Sequence, residues 1–140
     1  MAVFNSFNDF VLQLGKGVHQ LHAAGHTLEV YLSNAAPSAS LDSVKADLAE
    51  ITVANGYTGP EDIVNDYALA TATGQLTGTN VTITAAGGSV GPFQYVILQN
   101  TTPTSPLDPL IGWWDRGSAL TLADGESFAI EFAATVLTIV

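Results

Sequence analysis

Two periods of hydrophobic spacing divide this chain. Near the start, Phe4, Phe7, Val11, Leu14, Val18 and Leu21 recur at steps of three and four, with Phe10 widening the stripe. That spacing predicts one amphipathic helix over about 6–23. Ser6 is the expected N-cap, Asp9 favours the positive helix end, and Gly15 and Gly17 weaken the second half. From Leu76 onward the period shortens to two. Val81 to Thr84, Tyr95 to Gln99, Leu110 to Trp114, Ala119 to Leu122, Phe128 to Phe132 and Val136 to Ile139 are short apolar segments cut by turn residues. They recur roughly every ten residues, the spacing of a sandwich or barrel.

Between these regions Thr27 to Leu32 alternates as a half-buried strand, and Ser33 to Ser40 is rich in turn residues. Leu41, Val44, Lys45 and Leu48 are spaced for a short second helix, after which Glu50 to Val53 returns to strand character. Asn55 to Pro60 reads as a loop and Tyr67 to Thr73 as a strand. Tyr95 to Leu98 is apolar on both faces, which predicts a central strand. Pro103, Pro106 and Pro109 make Thr101 to Pro109 a loop, the kind of ordered excursion that carries contacts. The expectation is a mainly β, single-domain antiparallel β-sandwich of about eight strands, jelly-roll or immunoglobulin-like. It would occupy residues 1–140, with the sheets over about 27–140.

Composition changes this picture in one respect. Charged residues make up 11 % of the chain against an ordinary value of about 25 %, and mean hydropathy is +0.31. A surface so short of ions exposes apolar area, which marks contact with partners. Three basic residues, Lys16, Lys45 and Arg116, face thirteen acids, and the net charge of -10 repels phosphate backbones and anionic membranes. No direct contact with nucleic acid or membrane is therefore expected. There is no cysteine, hence no disulfide framework and no thiolate metal site. No apolar run approaches the roughly 18 residues that span a bilayer, and the first residues lack a basic, then apolar leader pattern. The expectation is a soluble protein not exported by a cleaved signal.

Candidate chemistry is sparse. His19, His22 and His26 would share one face if the helix continued that far, an arrangement that could bind zinc. Gly25, a helix terminator, and the lack of a neighbouring carboxylate weigh against it, and no metal or cofactor is expected. Glu61, Asp62 and Asp66 cluster without calcium-loop spacing and read as a solvated acidic loop. Gly15 and Gly17 lack the rest of a phosphate-binding loop, and no serine sits in a nucleophile elbow. Neither catalytic residues nor enzymatic activity are expected. Trp113 and Trp114 point to opposite faces if they lie in a strand, so one belongs to the core and the other is available to a neighbour, with Arg116 beside it. Phe4, Phe7, Pro103, Pro106, Trp113, Trp114 and Arg116 are the expected interface residues.

Several stretches together resemble small virion proteins of tailed bacteriophages, of the capsid decoration or cement type. They are Phe4 to Phe10 with the helix that follows, Thr27 to Leu32, and Ala49 to Gly59 ending in Asn55, Gly56, Tyr57, Thr58 and Gly59. Gly91 to Gln99, Pro109 to Gly117 and Gly125 to Phe132 continue in the same order. The resemblance implies a non-enzymatic structural protein on the capsid surface, made in the host bacterial cytoplasm. Its implied partners are the major capsid protein and itself, as a homotrimer. A tail or head-tail connector subunit is the alternative within that class. From another class, Trp113, Trp114 and Tyr57 could stack on sugars in a carbohydrate-binding sandwich.

Overall fold

The computed structural model describes residues 2–139. Ten strands, one α-helix and a single 3-10 turn at Lys45–Asp47 are present among them. The strands are β1 (Phe4–Ser6), β2 (Leu28–Ser33), β3 (Glu61–Asp62), β4 (Asp66–Ala70), β5 (Thr73–Thr77), β6 (Val81–Thr84), β7 (Val90–Asn100), β8 (Leu110–Leu122), β9 (Ser127–Ile130) and β10 (Leu137–Ile139). The helix, α1, spans Asn8–Gly15. All pairings between these strands are antiparallel. The fold is the expected mainly β sandwich, with ten strands in place of about eight.

One layer is a five-stranded sheet in the order β1-β8-β7-β2-β3; the other combines β10-β5-β4 with the pair β6-β9. Leu28, Val30 and Leu32 of β2, with Val96 and Leu98 of β7, face the second layer and meet Leu76, Ile83, Ile130 and Leu137 there. The opposite face of the large sheet is also covered. Tyr31, Ile97 and Leu110 form a second cluster with Phe7 and Leu48, and the Tyr31 hydroxyl donates to Leu48 O at 3.0 Å. Double coverage explains why Tyr95 to Leu98 is apolar on both sides, and β7 does lie at the sheet centre. It also makes β2 buried on both faces where alternation predicts half-burial.

The two tryptophans diverge as strand geometry requires. Trp113 tilts against Phe7 in the second cluster at 4.6 Å between ring centroids, while Trp114 meets Phe4 edge-on at 5.2 Å on the main-core side. A register shift opposite Leu98 and Gln99 allows Leu110 and Trp113 to share a face despite their odd separation. The segments expected at Leu110 to Trp114 and Ala119 to Leu122 are parts of one strand. Arg116 to Ala119 bulge from it, because Tyr95 pairs with Asp115 but Phe93 already pairs with Leu120.

Five expectations are corrected. The helix stops at Gly15, since Gly17 adopts φ +77, and 16–23 runs on without helix. Ser6 belongs to β1 and Phe7 occupies the N-cap. The helix expected around Leu41 to Leu48 shrinks to the 3-10 turn, whose first turn is held by Asp47 accepting from the N–H groups of Ser43 and Val44. Those two bonds hold the Asp47 carboxyl below its usual range. Glu50 to Val53 forms no strand; only Ile51 N–H reaches Leu32 O. Tyr67 to Thr73 divides between β4 and β5, a hairpin that turns at Thr71 and Ala72 with φ +48 and +63. No helix among the described residues is long and apolar enough to cross a membrane.

A candidate docking furrow between the chain ends

β1 is one edge strand of the large sheet, β10 is one edge strand of its own sheet, and β9 pairs only with β6. Residues of these three strands line one open furrow along the side of the sandwich, where the chain start meets the chain end. Gly112 allows this arrangement. A Cβ there would collide with the Phe4 ring and the Asn5 carbonyl, so only glycine lets β1 lie flat on β8.

The furrow comprises three adjoining hollows of about 670, 180 and 390 Å³. The largest lies between α1 and β10, with Val3, Phe10, Val11 and Ile139 in its walls. Phe4 and Val136 border both it and the middle hollow; Trp114 and Phe132 border the middle and the third, where Arg116 and Glu131 supply opposite charges. Apolar groups dominate the largest and the third hollow, while the middle one is mixed. Val3 and Val11 are 77 % and 65 % exposed, high values for side chains of this kind. The floor is aromatic, since Trp114 packs between Phe4, which meets it edge-on, and Phe132, tilted against it at 5.6 Å.

Of the interface residues expected from sequence, the furrow brings together Phe4, Trp114 and Arg116. Phe4 and Trp114 are half-buried, and Arg116 is exposed, its guanidinium donating to Ser118 O and Oγ at 3.0 Å. Beside it, hydrogen bonds from Gln94 and from Gly117 N–H hold the Asp115 carboxyl below its usual range. Phe7 is 0 % exposed, so it supports the sheet from beneath and meets no partner. Trp113 lies on the opposite sheet face. Pro103 and Pro106 are half-buried in the loop between β7 and β8, outside the furrow. Sequence reasoning placed Val11 in the buried stripe and did not single out Val3 or Phe132. No local signal marks them, because the furrow exists only once residues about 130 apart in sequence are adjacent.

The remaining candidates resolve into structural roles. Tyr57 is buried, donates to Glu50 Oε1 at 2.6 Å and accepts from Leu32 N–H at 3.1 Å. It is thus withdrawn from any sugar-stacking surface. Burial and the bond to Glu50 push its phenol well above the usual value. Glu50 in turn pairs with Lys45 at 2.8 Å. Each member of the acidic trio is already engaged: Glu61 accepts from Thr58 Oγ1, Asp62 from Val64 N–H, and Asp66 from Ala23 and Tyr67 N–H. Because α1 ends early, the histidines do not share a helical face. His19 and His26 converge on Asn100, whereas His22 is exposed. Among the described residues no group of three His, Cys, Asp or Glu is placed to hold a metal ion.

What the furrow can do chemically is bind: it offers desolvatable apolar wall, an aromatic floor, one cation and one anion, and strands with an unpaired edge. No protein-family model, curated protein or solved structure matches this chain.

Proposed function

We propose that this protein is a non-enzymatic structural component of a tailed-phage virion, a decoration or cement protein that binds the shell of major capsid protein and self-associates, as a homotrimer, on the capsid surface. The observation that carries the reading is the furrow itself. A chain with 11 % charged residues leaves Val3 and Val11 in water beside the edge strands β1, β9 and β10. Such a surface is stable in solution only as long as nothing complementary meets it. The acidic net charge suits a basic docking surface, and would quicken association with one. The sequence pattern resembling phage decoration proteins gives this binding surface its setting.

The direct test is to strip particles of the protein and add it back. Stripped heads should lose resistance to heat and to genome pressure, and the purified protein should restore both. Heads that keep full resistance without it would end the cement reading. Incorporation into a ring or a stacked tube would assign the protein instead to the tail or connector.

A further inference from the structure

Residues 18–27 cross one end of the sandwich without regular secondary structure, and side chains from distant strands fasten them there. Asn65 Nδ2 donates to Leu21 O at 2.7 Å and to His26 O at 3.1 Å. Ala23 N–H reaches Asp66 Oδ1 at 3.1 Å, and Thr27 N–H reaches Thr102 Oγ1 at 2.9 Å. The centre of the fastening is Asn100, fully buried at the end of β7. Its Nδ2 lies 3.1 Å from His19 Nδ1 and 2.9 Å from His26 Nδ1, while its Oδ1 accepts from Thr102 N–H at 3.3 Å. That last bond fixes which end of the amide is nitrogen.

One amide therefore spends its two hydrogens on two imidazoles. Both imidazoles must then be neutral, with the lone pair on Nδ1 and the proton on Nε2. A proton added to either Nδ1 would set N–H against N–H and break the bond to Asn100. His26 Nδ1 would also lose its weak acceptance from Gln20 N–H, at 3.4 Å. We propose that residues 18–27 form an acid-released clasp, closed on the sandwich while the Nδ1 atoms of His19 and His26 accept from Asn100 and opened locally when His19 is protonated.

The surroundings favour release. His19 is 6 % exposed, packs edge-on against Phe10 at 5.1 Å, and has no partner for Nε2. Burial, then the His26 charge, push its pKa down to about 4, against a smaller upward pull from Asp9 on α1. A histidine depressed in this way stabilises the closed form above its ordinary value near 6.5 and loses that contribution as pH falls towards about 4. The other ionisable groups on these elements are Lys16 and His22 in the same loop, Asp66, already bonded to Ala23 and Tyr67, with the Tyr67 phenol on β4, and the Tyr95 phenol on β7, which carries no carboxylate and no cationic side chain. Opening would free Leu21 and uncover Phe10, which is also a wall of the furrow. The clasp follows from the histidine geometry and does not depend on the docking role.

Hydrogen exchange read peptide by peptide at about pH 7.5 and about pH 5, corrected for the intrinsic rate, tests it. Amides of Val18 to Thr27 should lose protection by about tenfold or more at the lower pH, while those of β7 and β8 keep theirs. Asn100→Asp should invert the dependence, since a carboxylate facing both Nδ1 atoms favours imidazolium. His19→Asn with His26→Asn should abolish it, because an amide oxygen replaces each Nδ1 without titrating. Loss under about threefold in the unmodified protein, simultaneous loss across all strands, or an Asp variant with the original profile would overturn the clasp. Should the variants fail to fold, ¹⁵N shifts of the imidazoles at neutral pH decide: a proton on either Nδ1 contradicts it.

Discussion

Val3→Asp combined with Val11→Asp is the sharpest perturbation of the furrow. Burying a whole valine side chain contributes about 1.5–3 kcal/mol. With 77 % and 65 % of the two side chains in water, docking that covers both would gain about 1.2–2.3 and 1.0–2.0 kcal/mol, hence about 2–4 kcal/mol together. Removing that gain weakens binding to stripped heads by about 30- to 1000-fold, and burying two carboxylates weakens it further. The fold should be unaffected, because exposed substitutions away from special features change stability by about 0.5 kcal/mol or less. Co-sedimentation with stripped heads measures the affinity, and thermal unfolding checks the fold. Leu69→Asp is the control: it is equally exposed, at 77 %, but lies on the β4 to β5 hairpin outside the furrow. The reasoning fails if the double variant binds like the parent, or if Leu69→Asp abolishes binding while the double variant does not.

Tyr57→Phe leaves Leu32 N–H buried without its acceptor and removes the donor to Glu50, costing about 2–4 kcal/mol. Calorimetry should show a Tm lower by about 7–14 °C at about 2.1 cal/mol/K per residue; a fall under about 2 °C would contradict the role. Thr71→Asn with Ala72→Gly should raise stability by about 1–2 kcal/mol in urea unfolding, since two non-glycine residues hold positive φ in that two-residue turn. A loss of stability would mean the turn differs from the one described. Gly112→Ala should detach β1 and Phe4 from β8. Tryptophan fluorescence would then shift to the red as Trp114 becomes wetter, and an unchanged spectrum would refute the contact.

Where local pattern and tertiary environment agreed, the sequence was readable. The strands at 81–84 and 28–33 and the central position of β7 follow from apolar runs and alternation, and the divergence of Trp113 and Trp114 follows from strand geometry alone. The N-terminal stripe misled for a physical reason. Phe4 and Phe7 have helical spacing, but Phe4 opens β1, Phe7 follows its last residue, and the two enter opposite faces of one sheet. Val18 and Leu21 continued the apparent helix, yet that segment is held by Asn65 and Asn100, dozens of residues away, which no local window contains. The Asn55 to Gly59 stretch was recognised as a loop, but not its task. Gly56 at φ +93 brings the chain against Thr84 O and lets Tyr57 cap the edge of β2 beyond β3. The furrow was legible only in part, through Phe4, Trp114 and Arg116, because its other wall comes from the far end of the chain.

Imaging intact particles at a resolution that traces the chain tests the central claim most directly. The account predicts this fold on the outer surface of the capsid, in trimers, with the furrow between β1 and the β9 to β10 segment filled by a neighbouring subunit. Particles whose shells lack it, or a furrow that faces open solvent at every copy, would contradict the account.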